Sequence, residues 1–390
     1  MMTEKIAIVG AGLGGLVAAL TLAKRGADVA VYEQAETLGD VGAGISLTPN
    51  ASRILEGLGL KDYLAQNAEE PPANQTRHYK TFDMLIDIQR DDTRAEYGAP
   101  YYQIHRADLH AAIAAQLTAV APNCIQTGKA LVSIGDLQSG ARLHFADDTR
   151  VEADVVIAAD GLRSRVRAAL FDPAQPHHLG QIAYRGLVPR EQLSAQWHPG
   201  ESQNLIGPGA VFVSYPVRQG KLINFVGLAQ SDAWAEEGWS IPATKDEILE
   251  RYAGWHESVA EMVHQAPPSG LRKWGLFGHK PLKAFVRNTV ALIGDAAHPM
   301  LPFFGMGAAM AMEDGAVIAR CLTELGSPSL ALKQYEALRM TRSHFVQSES
   351  AKGGERLQGA DPDAMTRMTV RNEDSLGLFQ YDALHMALSI

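Results

Sequence analysis

The first glycines of the chain and an acid beyond them have the spacing of a dinucleotide-binding site. Gly10, Gly12 and Gly15 follow the apolar run 6–9 and open a stretch of helical periodicity. There the first glycine permits a tight turn, the second lets the backbone approach a pyrophosphate, and the third lets helix and strand pack closely. Glu33 lies about 20 residues further on, where a carboxylate can hydrogen-bond a ribose hydroxyl. The predicted ligands are Gly10, Gly12, Leu13, Gly15 and Glu33. This pattern does not separate FAD from NAD, and a purely structural glycine-rich turn is the alternative.

Strands and helices alternate around these residues. Residues 6–9 and 27–33 are predicted strands on either side of a helix over 16–25, which makes a complete βαβ unit. The runs 155–159 and 290–293 are also continuously apolar, as in strands buried on both faces of a parallel sheet. The nucleotide-binding domain is therefore predicted to be discontinuous, with one of its strands late in the chain.

The middle of the chain has a different pattern. Runs such as 209–217 and 222–228 are typical of antiparallel strands, whereas the residues after about 331 are predicted to be mostly helical. We therefore predict an α/β fold: a split Rossmann-like domain, an inserted mixed or antiparallel β-sheet domain that binds substrate, and C-terminal helices. The predicted ranges are 1–74, 101–180 and 275–330 for the nucleotide-binding domain, 75–100 and 181–274 for the inserted domain, and 331–390 for the helical region.

Composition excludes several classes of protein. The chain has 390 residues, a net charge of −9, 46% hydrophobic and 20% charged residues, which is typical of a globular protein and not of a disordered one. The acidic balance argues against nucleic acid or an anionic membrane as a partner. Two cysteines are too few for a disulfide framework or a Cys-rich zinc site, so we predict reduced thiols and no metal site. The first apolar run is too short for a signal peptide, and we expect a cytoplasmic protein.

Three further segments resemble motifs of one enzyme family. Asp160-Gly161 follows a buried strand, and Arg106-Ala107-Asp108-Leu109 opens a helix. Gly294-Asp295 is followed by His298, Pro299, Gly305, Gly307 and Glu313-Asp314. With the first glycines, these segments resemble, in the same order, the motifs of the single-component FAD-dependent aromatic-ring monooxygenases, or flavoprotein hydroxylases. The resemblance extends from residue 6 to about residue 320. The segments 41–50 and 379–383 are similar to the salicylate hydroxylase-like branch of that family.

The resemblance implies FAD as cofactor and gives roles to individual residues. Asp295 would accept a hydrogen bond from a ribityl hydroxyl, and the helix opened by Gly305, Gly307 and Ala308 would direct its backbone N–H groups at the isoalloxazine ring. Further implied contacts to FAD are those of Gly44, Arg106 and Asp160. Asp160 has an alternative role, as a cap of the next helix. Met306 departs from the glutamine that many relatives carry there, which removes a side-chain amide contact but keeps the backbone contacts.

The resemblance also implies a reaction. NADH or NADPH would reduce the flavin, O2 would add at flavin C4a, and the hydroperoxide would hydroxylate a small aromatic or heteroaromatic acid of the hydroxybenzoate, salicylate or hydroxynicotinate type. The alternatives are a flavin epoxidase, a hydroxylase of a larger natural product, and a non-catalytic FAD-binding protein. We expect a monomer or a homodimer.

The pocket candidates come from the inserted domain and from the segment after Asp295. The predicted substrate-binding residues are Ser46, Tyr184, Arg185, Val213, Tyr215, Pro299, Phe303 and Phe304. Tyr215 is a candidate catalytic residue that would bond the substrate, or else a core tyrosine. His298 is a candidate acid–base residue, or else the site of backbone hydrogen bonds near the flavin. Arg185 would pair with a substrate carboxylate, or else form an interdomain salt bridge.

Overall fold

The computed structural model describes residues 4–39, 44–136, 139–194, 202–232, 234 and 240–389. Residues 41–43, the start of the segment that resembles the salicylate hydroxylase-like branch, lie outside this part of the chain. In chain order, the strands are β1 (Lys5–Val9), β2 (Asp28–Tyr32), β3 (Gly44–Leu47), β4 (Ala73–His78), β5 (Met84–Gln89), β6 (Tyr102–His105), β7 (Ile125–Gln126), β8 (Leu131–Asp136), β9 (Ala141–Phe145), β10 (Arg150–Ala153), β11 (Val155–Ala158), β12 (His177–Pro189), β13 (Ser202–Gly207), β14 (Ala210–Val217), β15 (Leu222–Gln230), β16 (Ile241–Pro242), β17 (Arg272–Gly278), β18 (Val286–Arg287) and β19 (Val290–Leu292). The α-helices are α1 (Leu13–Lys24), α2 (Pro49–Leu55), α3 (Lys61–Asn67), α4 (Thr93–Tyr97), α5 (Arg106–Val120), α6 (Arg165–Leu170), α7 (Lys245–Arg251), α8 (Glu257–Gln265), α9 (Gly307–Glu324) and α10 (Pro328–Leu357).

A six-stranded sheet carries the glycine-rich turn. Its order is β18-β19-β11-β1-β2-β7, and its pairs are parallel except for β18 with β19. The central strands are continuously apolar because helices cover both of their faces, and α1 packs against both α5 and α9. The predicted α/β fold and the predicted strands of this sheet are confirmed.

An eight-stranded sheet forms the second layer. Its order is β16-β17-β12-β15-β14-β13-β4-β5, so the early strands β4 and β5 join it through the parallel pair β13 and β4. Residues directly opposite in antiparallel strands share a face. Phe212, Phe225, Tyr252 and Met262 form a core between one face and the helices α7 and α8. The other face bears Arg185, Val213, Tyr215 and Asn224, and is called the cleft face below.

The C-terminal residues are less helical than predicted. The helix α10 ends at Leu357, and in 358–389 the only helical element is the 3-10 turn Pro362–Arg367. Arginine side chains satisfy the carbonyl groups of this tail in place of helical hydrogen bonds. Arg53 donates to the carbonyls of Phe379 at 2.7 Å and Tyr381 at 2.8 Å. The backbone thus needs no helix here, and an apolar pattern alone does not reveal this.

Cys124 and Cys321 are buried free thiols. Among the described residues, no helix has the length and apolar character needed to cross a membrane. The same part of the chain holds no cluster of His, Cys, Asp and Glu that would bind a metal ion.

Candidate functional site

The three glycines of the first turn have three different surroundings. Gly10 has a φ of 101°, and a Cβ there would overlap the carbonyl oxygen of Ala159. A Cβ on Gly15 would overlap the carbonyl oxygen of Gly10. Gly12 caps α1 with extended backbone, and a Cβ there would meet no atom within 4 Å. The turn and the helix packing therefore require Gly10 and Gly15, whereas Gly12 leaves open space at the N-terminus of α1.

Glu33 closes this turn from the second strand. Its Oε2 accepts a hydrogen bond from the backbone N–H of Ala11 at 2.7 Å, and its Oε1 accepts one from Ala35 at 2.9 Å. Glu33, Gly10 and Gly12 line a cavity of about 560 Å³ together with Lys129 and Asp160. A carboxylate offers about four acceptor positions, so Glu33 keeps capacity for a ribose hydroxyl. An open glycine, a helix N-terminus and an acid along one cavity fit the adenosine and pyrophosphate of a dinucleotide.

Asp160 both lines this cavity and caps the next helix. Its carboxylate accepts hydrogen bonds from the Ser164 hydroxyl at 2.5 Å and from the Val166 backbone at 3.2 Å. Ser164 in turn accepts from the N–H of Arg167 at 2.9 Å, which makes it the N-cap of α6. Burial raises the pKa of Asp160, and the hydrogen bonds from Ser164 and Val166 oppose that effect. Asp160 therefore caps the next helix and also lines the cavity.

Asp295 lies near Arg106 at the other side of the cleft. Asp295 follows β19 and is exposed to the cleft, whose enclosing protein raises its pKa while His298 and Arg106 lower it. The segment is fixed from behind because Arg167 donates to the carbonyls of Ala296 and Ala297, both at 3.3 Å. An exposed carboxylate near an arginine suits a hydroxyl-rich ligand chain.

Arg185 reaches this cluster from the cleft face. Burial lowers its pKa to about 10, with further lowering by Arg106 and Arg272. Arg185 lies directly opposite Arg272 in the sheet, an arrangement of like charges that is unfavourable by itself. Its guanidinium stacks on Trp274 at 5.1 Å and bonds the Ser240 hydroxyl at 3.5 Å, but no carboxylate of the described residues pairs with it. The interdomain salt bridge considered for Arg185 is therefore absent from this part of the chain.

His298 belongs to a buried ionic network. Its side chain is 1% exposed, and its Nε2 lies 2.5 Å from Asp314. Asp314 also accepts from the backbone of Gly294 at 2.9 Å and from Arg339 at 2.7 Å. Burial would raise the pKa of Asp314, but His298 and Arg339 lower it to about 2. This geometry favours a structural hydrogen-bonding role for His298 over proton transfer to a substrate.

The N-terminus of α9 faces the same cleft. Gly305 adopts left-handed backbone with a φ of 61°, which turns the chain into the helix that starts at Gly307. Gly305, Gly307 and Ala308 are partly exposed, and the first turn of a helix has N–H groups without intrahelical partners. A Cβ on Gly305 would lie 3.7 Å from the Cβ of Ser46, so Ser46 lies beside this helix start.

Gly44 joins the cleft face to the nucleotide-binding part. Its backbone N–H donates to Asn224 Oδ1 at 2.8 Å. A Cβ there would lie only 2.7 Å from the Tyr215 hydroxyl and 2.8 Å from Asn224 Cγ. Burial raises the pKa of Tyr215, and Tyr101 raises it further. Tyr215 is buried, and the fully buried Asn224 amide nitrogen has no hydrogen-bond partner among the described residues. These two donors converge at one point of the cleft.

Asn224 was not found from the sequence. Alternation along the strand predicts that Tyr215 lies on a functional face. Asn224 lies directly opposite Tyr215 in the neighbouring strand and therefore shares that face. The sequence could identify Asn224 only if the register between β14 and β15 were known.

The structure contradicts the prediction that Tyr184 lines the substrate site. Tyr184 packs in the core on the far side of the sheet, and its hydroxyl lies 3.4 Å from Glu247 Oε1 on α7. Successive residues of a strand point to opposite faces, so Tyr184 and Arg185 cannot both face the cleft. Of this pair, Arg185 does. Val213 is partly buried on the cleft face, opposite Val226.

The aromatic residues after Asp295 pack against α10. A Cβ on Gly354 would lie 2.9 Å from Phe303 Cδ2, and one on Gly353 would lie 3.3 Å from Phe304 Cε1. The carbonyl of Pro299 accepts a hydrogen bond from Gln347 at 2.8 Å. These contacts hold the segment 299–304 on α10, and contact of Pro299, Phe303 or Phe304 with substrate stays a prediction.

Comparison with known proteins agrees with this geometry. The family described as FAD binding domain matches residues 3–349. The chain is 36% identical over 350 residues to 6-hydroxynicotinate 3-monooxygenase of Pseudomonas fluorescens, covering 88% of this chain and 90% of that protein. It is 36% identical over 359 residues to 3-amino-4-hydroxybenzoate 2-monooxygenase of Streptomyces cremeus, covering 92% and 88%. A solved salicylate hydroxylase substrate complex superposes with a TM-score of 0.83 at 28% identity, covering 97% of this chain and 96% of that one.

Proposed function

Because the chain belongs to the FAD binding domain family, we propose that it is an FAD-dependent monooxygenase that hydroxylates a small aromatic or heteroaromatic acid. The observation that carries this proposal is the contact of Gly44 with Tyr215 and Asn224. It brings two buried donors of the cleft face against the part of the chain that holds the dinucleotide cavity. The relatives named above act on a hydroxynicotinate and an aminohydroxybenzoate, which supports a small ring that carries a carboxylate.

Several residues on the cavity fit FAD. Glu33, Gly12 and Asp160 line the cavity and would bind adenosine and pyrophosphate. Asp295 and the start of α9 at Gly307 would bind the ribityl chain and the ring. When bound, FAD supplies the activation of O2 with two electrons taken from NADH or NADPH.

The chain's own residues would hold and orient the substrate. Burial keeps the Tyr215 hydroxyl protonated, so that it can donate to a phenolate or ring oxygen. A buried amide nitrogen without an acceptor costs about 1–3 kcal/mol of stability. The substrate oxygen that accepts from Tyr215 would also accept from the Asn224 amide nitrogen and so offset this cost. Arg185 has no carboxylate partner among the described residues. It would bind the substrate carboxylate through two parallel hydrogen bonds from its guanidinium.

Exclusion of water is the other requirement. Val213 and Val226 lie opposite each other on the cleft face, between Tyr215 and Arg185. An apolar stretch between two polar contacts would bind an aromatic ring and keep water from the reacting carbon.

Oxidation of NADH and NADPH by the purified yellow protein in air tests the proposal. Hydroxylated benzoates and pyridine carboxylates are added singly, and the mass of each product is measured. We expect at least one acid to accelerate oxidation and to gain one oxygen atom. Acceleration without an oxygenated product would indicate an effector that only triggers reduction. If no compound accelerates oxidation, the proposed substrate class is wrong.

A further inference from the structure

The turn between β14 and β15 has a backbone that its residues rarely adopt. Arg218 and Gln219 have φ values of 54° and 59°, and Gly220 has 71°. Turn residues with positive φ are normally Gly, Asn or Asp. A residue with a longer side chain is strained in this conformation because its Cβ lies too close to the following carbonyl oxygen. Contacts outside the hairpin must therefore hold the turn.

Three of the four residues of this turn contact the nucleotide-binding part of the chain. Arg218 donates from two nitrogens to the two carboxylate oxygens of Asp108, both at 2.8 Å. The Gln219 side chain donates to the carbonyl of Gln66 at 3.1 Å. The backbone N–H of Gly220 donates to Glu69 Oε1 at 2.8 Å. We call these contacts the hairpin clamp.

The clamp adds little to the stability of the fold. The side chains of Arg218 and Asp108 are 46% and 31% exposed, and an ion pair between exposed side chains contributes little to stability. Even with two parallel hydrogen bonds, that gain does not exceed the backbone strain of Arg218 and Gln219. The main effect of the clamp is therefore on position.

The position that the clamp fixes is that of the cleft face. Arg218 follows Tyr215 by three residues in the chain, and Asp108 follows Arg106 by two. The electrostatic effects of Arg106 reach both Asp295 and Arg185. The clamp therefore connects the strand that carries Tyr215 to the helix that carries Arg106.

We propose that Arg218 is a positioning residue, which through Asp108 holds the cleft face at the distance from the flavin site that oxygen transfer to the substrate requires. This inference rests on the proposed function. In the coupled reaction, NADH, H⁺, O2 and the aromatic acid give NAD⁺, water and the hydroxylated acid. When the substrate is misplaced, NADH, H⁺ and O2 give NAD⁺ and H2O2, and the acid is unchanged.

The FAD-loaded Arg218→Ala variant tests the inference against a matched control. Arg142→Ala removes another exposed arginine pair, since Arg142 donates to Glu152 at 2.9 and 2.6 Å with both side chains more than half exposed. We expect Arg218→Ala to raise H2O2 released per hydroxylated product by roughly threefold to tenfold, because small misplacements near the reacting atoms have large effects on rate. FAD content should be unchanged. Arg218→Lys should restore part of the coupling, and Arg142→Ala should behave as wild type.

Asp108→Asn gives the second arm of a double-mutant cycle. Since both side chains act through one contact, the double variant should be no less coupled than either single variant. Wild-type coupling in Arg218→Ala, or equal uncoupling in Arg142→Ala, would overturn the inference.

Hydrogen exchange separates this inference from the proposed function. In the FAD-loaded protein, Arg218→Ala should speed amide exchange in β14 and at the start of α5, without any substrate present. If the wild type hydroxylates no compound, the proposed function is wrong. Amide exchange alone then tests whether Arg218 holds the cleft face in position. Unchanged exchange at both elements would then overturn it.

Discussion

Alanine at Gly12 and at Gly15 should have opposite effects on the apo-protein and on FAD binding. Gly12 has a φ of −66° and a ψ of 175°, a conformation that alanine adopts without strain, and no atom lies within 4 Å of the added Cβ. Replacement of such a glycine stabilises a fold by about 0.4–1 kcal/mol, because the unfolded chain loses freedom. Gly12→Ala should therefore leave the apo-protein as stable as wild type, or slightly more stable.

FAD binding should weaken in the same variant. The Cβ projects into the open space where a pyrophosphate must approach the backbone. Loss of one or two hydrogen bonds to a charged group costs about 1.5–3 kcal/mol, or roughly a tenfold to hundredfold rise in Kd.

Gly15→Ala should instead damage the protein without its cofactor. Its Cβ would overlap the backbone oxygen of Gly10, which cannot move without distorting the turn, and would lie 3.1 Å from Ala159 Cβ. Overpacking costs about 1–3 kcal/mol and exceeds the gain in helix propensity of about 1 kcal/mol. We expect a net loss of stability in the apo-protein.

Urea unfolding of the apo-proteins and titration with FAD, followed by flavin fluorescence, measure the two effects. Gly270→Ala is the control, since this exposed glycine has open space around it and does not line the cavity. Wild-type FAD affinity in Gly12→Ala would refute the assignment of this cavity to FAD. Equal destabilisation by Gly12→Ala and Gly15→Ala would refute the division between the two glycines.

Three further predictions concern the cleft. Burial, Arg106 and Arg272 lower the pKa of Arg185 to about 10; a lysine there, whose ordinary pKa is about 2 lower than that of arginine, would lose its charge at a lower pH than Arg185 does. In Arg185→Lys, the KM for an aromatic acid should therefore rise as the pH is raised from about 7 to 9, while the wild-type KM stays level in steady-state assays. Tyr215→Phe should lower kcat/KM by roughly tenfold through loss of one hydrogen bond, at unchanged FAD content; identical kinetics would leave this tyrosine a packing role only. Asp295→Ala should give a protein that purifies with little FAD, as read from its absorbance, and a fully yellow, active variant would contradict the ribityl contact.

The sequence predicts the four central strands of the six-stranded sheet, β19, β11, β1 and β2. Runs such as 155–159 and 290–293 are apolar at every position, which is typical of strands that are buried on both faces. The turn at Gly10 and the acid at Glu33 add a spacing that few other structures require.

The cleft face could be predicted only in part. Alternation shows that Val213 and Tyr215 share a face, but it does not show which face of a strand meets the cleft. The resemblance makes both Tyr184 and Arg185 candidates, and the packing of Tyr184 against α7 separates them. Asn224 depends on the register between two strands, which no single-strand pattern contains.

The motif over residues 294–314 contains residues that face the cleft and residues that support them. The two kinds differ in how deeply they are buried. Asp295 is exposed to the cleft, whereas Glu313 and Asp314 are fully buried. Arg339 lies 2.6 Å from Glu313 and 2.7 Å from Asp314, which ties α9 to α10, and Asp314 also accepts from the backbone of Gly294. Removal of one partner from a buried pair costs about 3–5 kcal/mol. A substitution at Asp314 would thus remove FAD by unfolding its site, while one at Asp295 removes a contact and leaves the fold in place. Only the second kind of variant reports on the chemistry of the cleft.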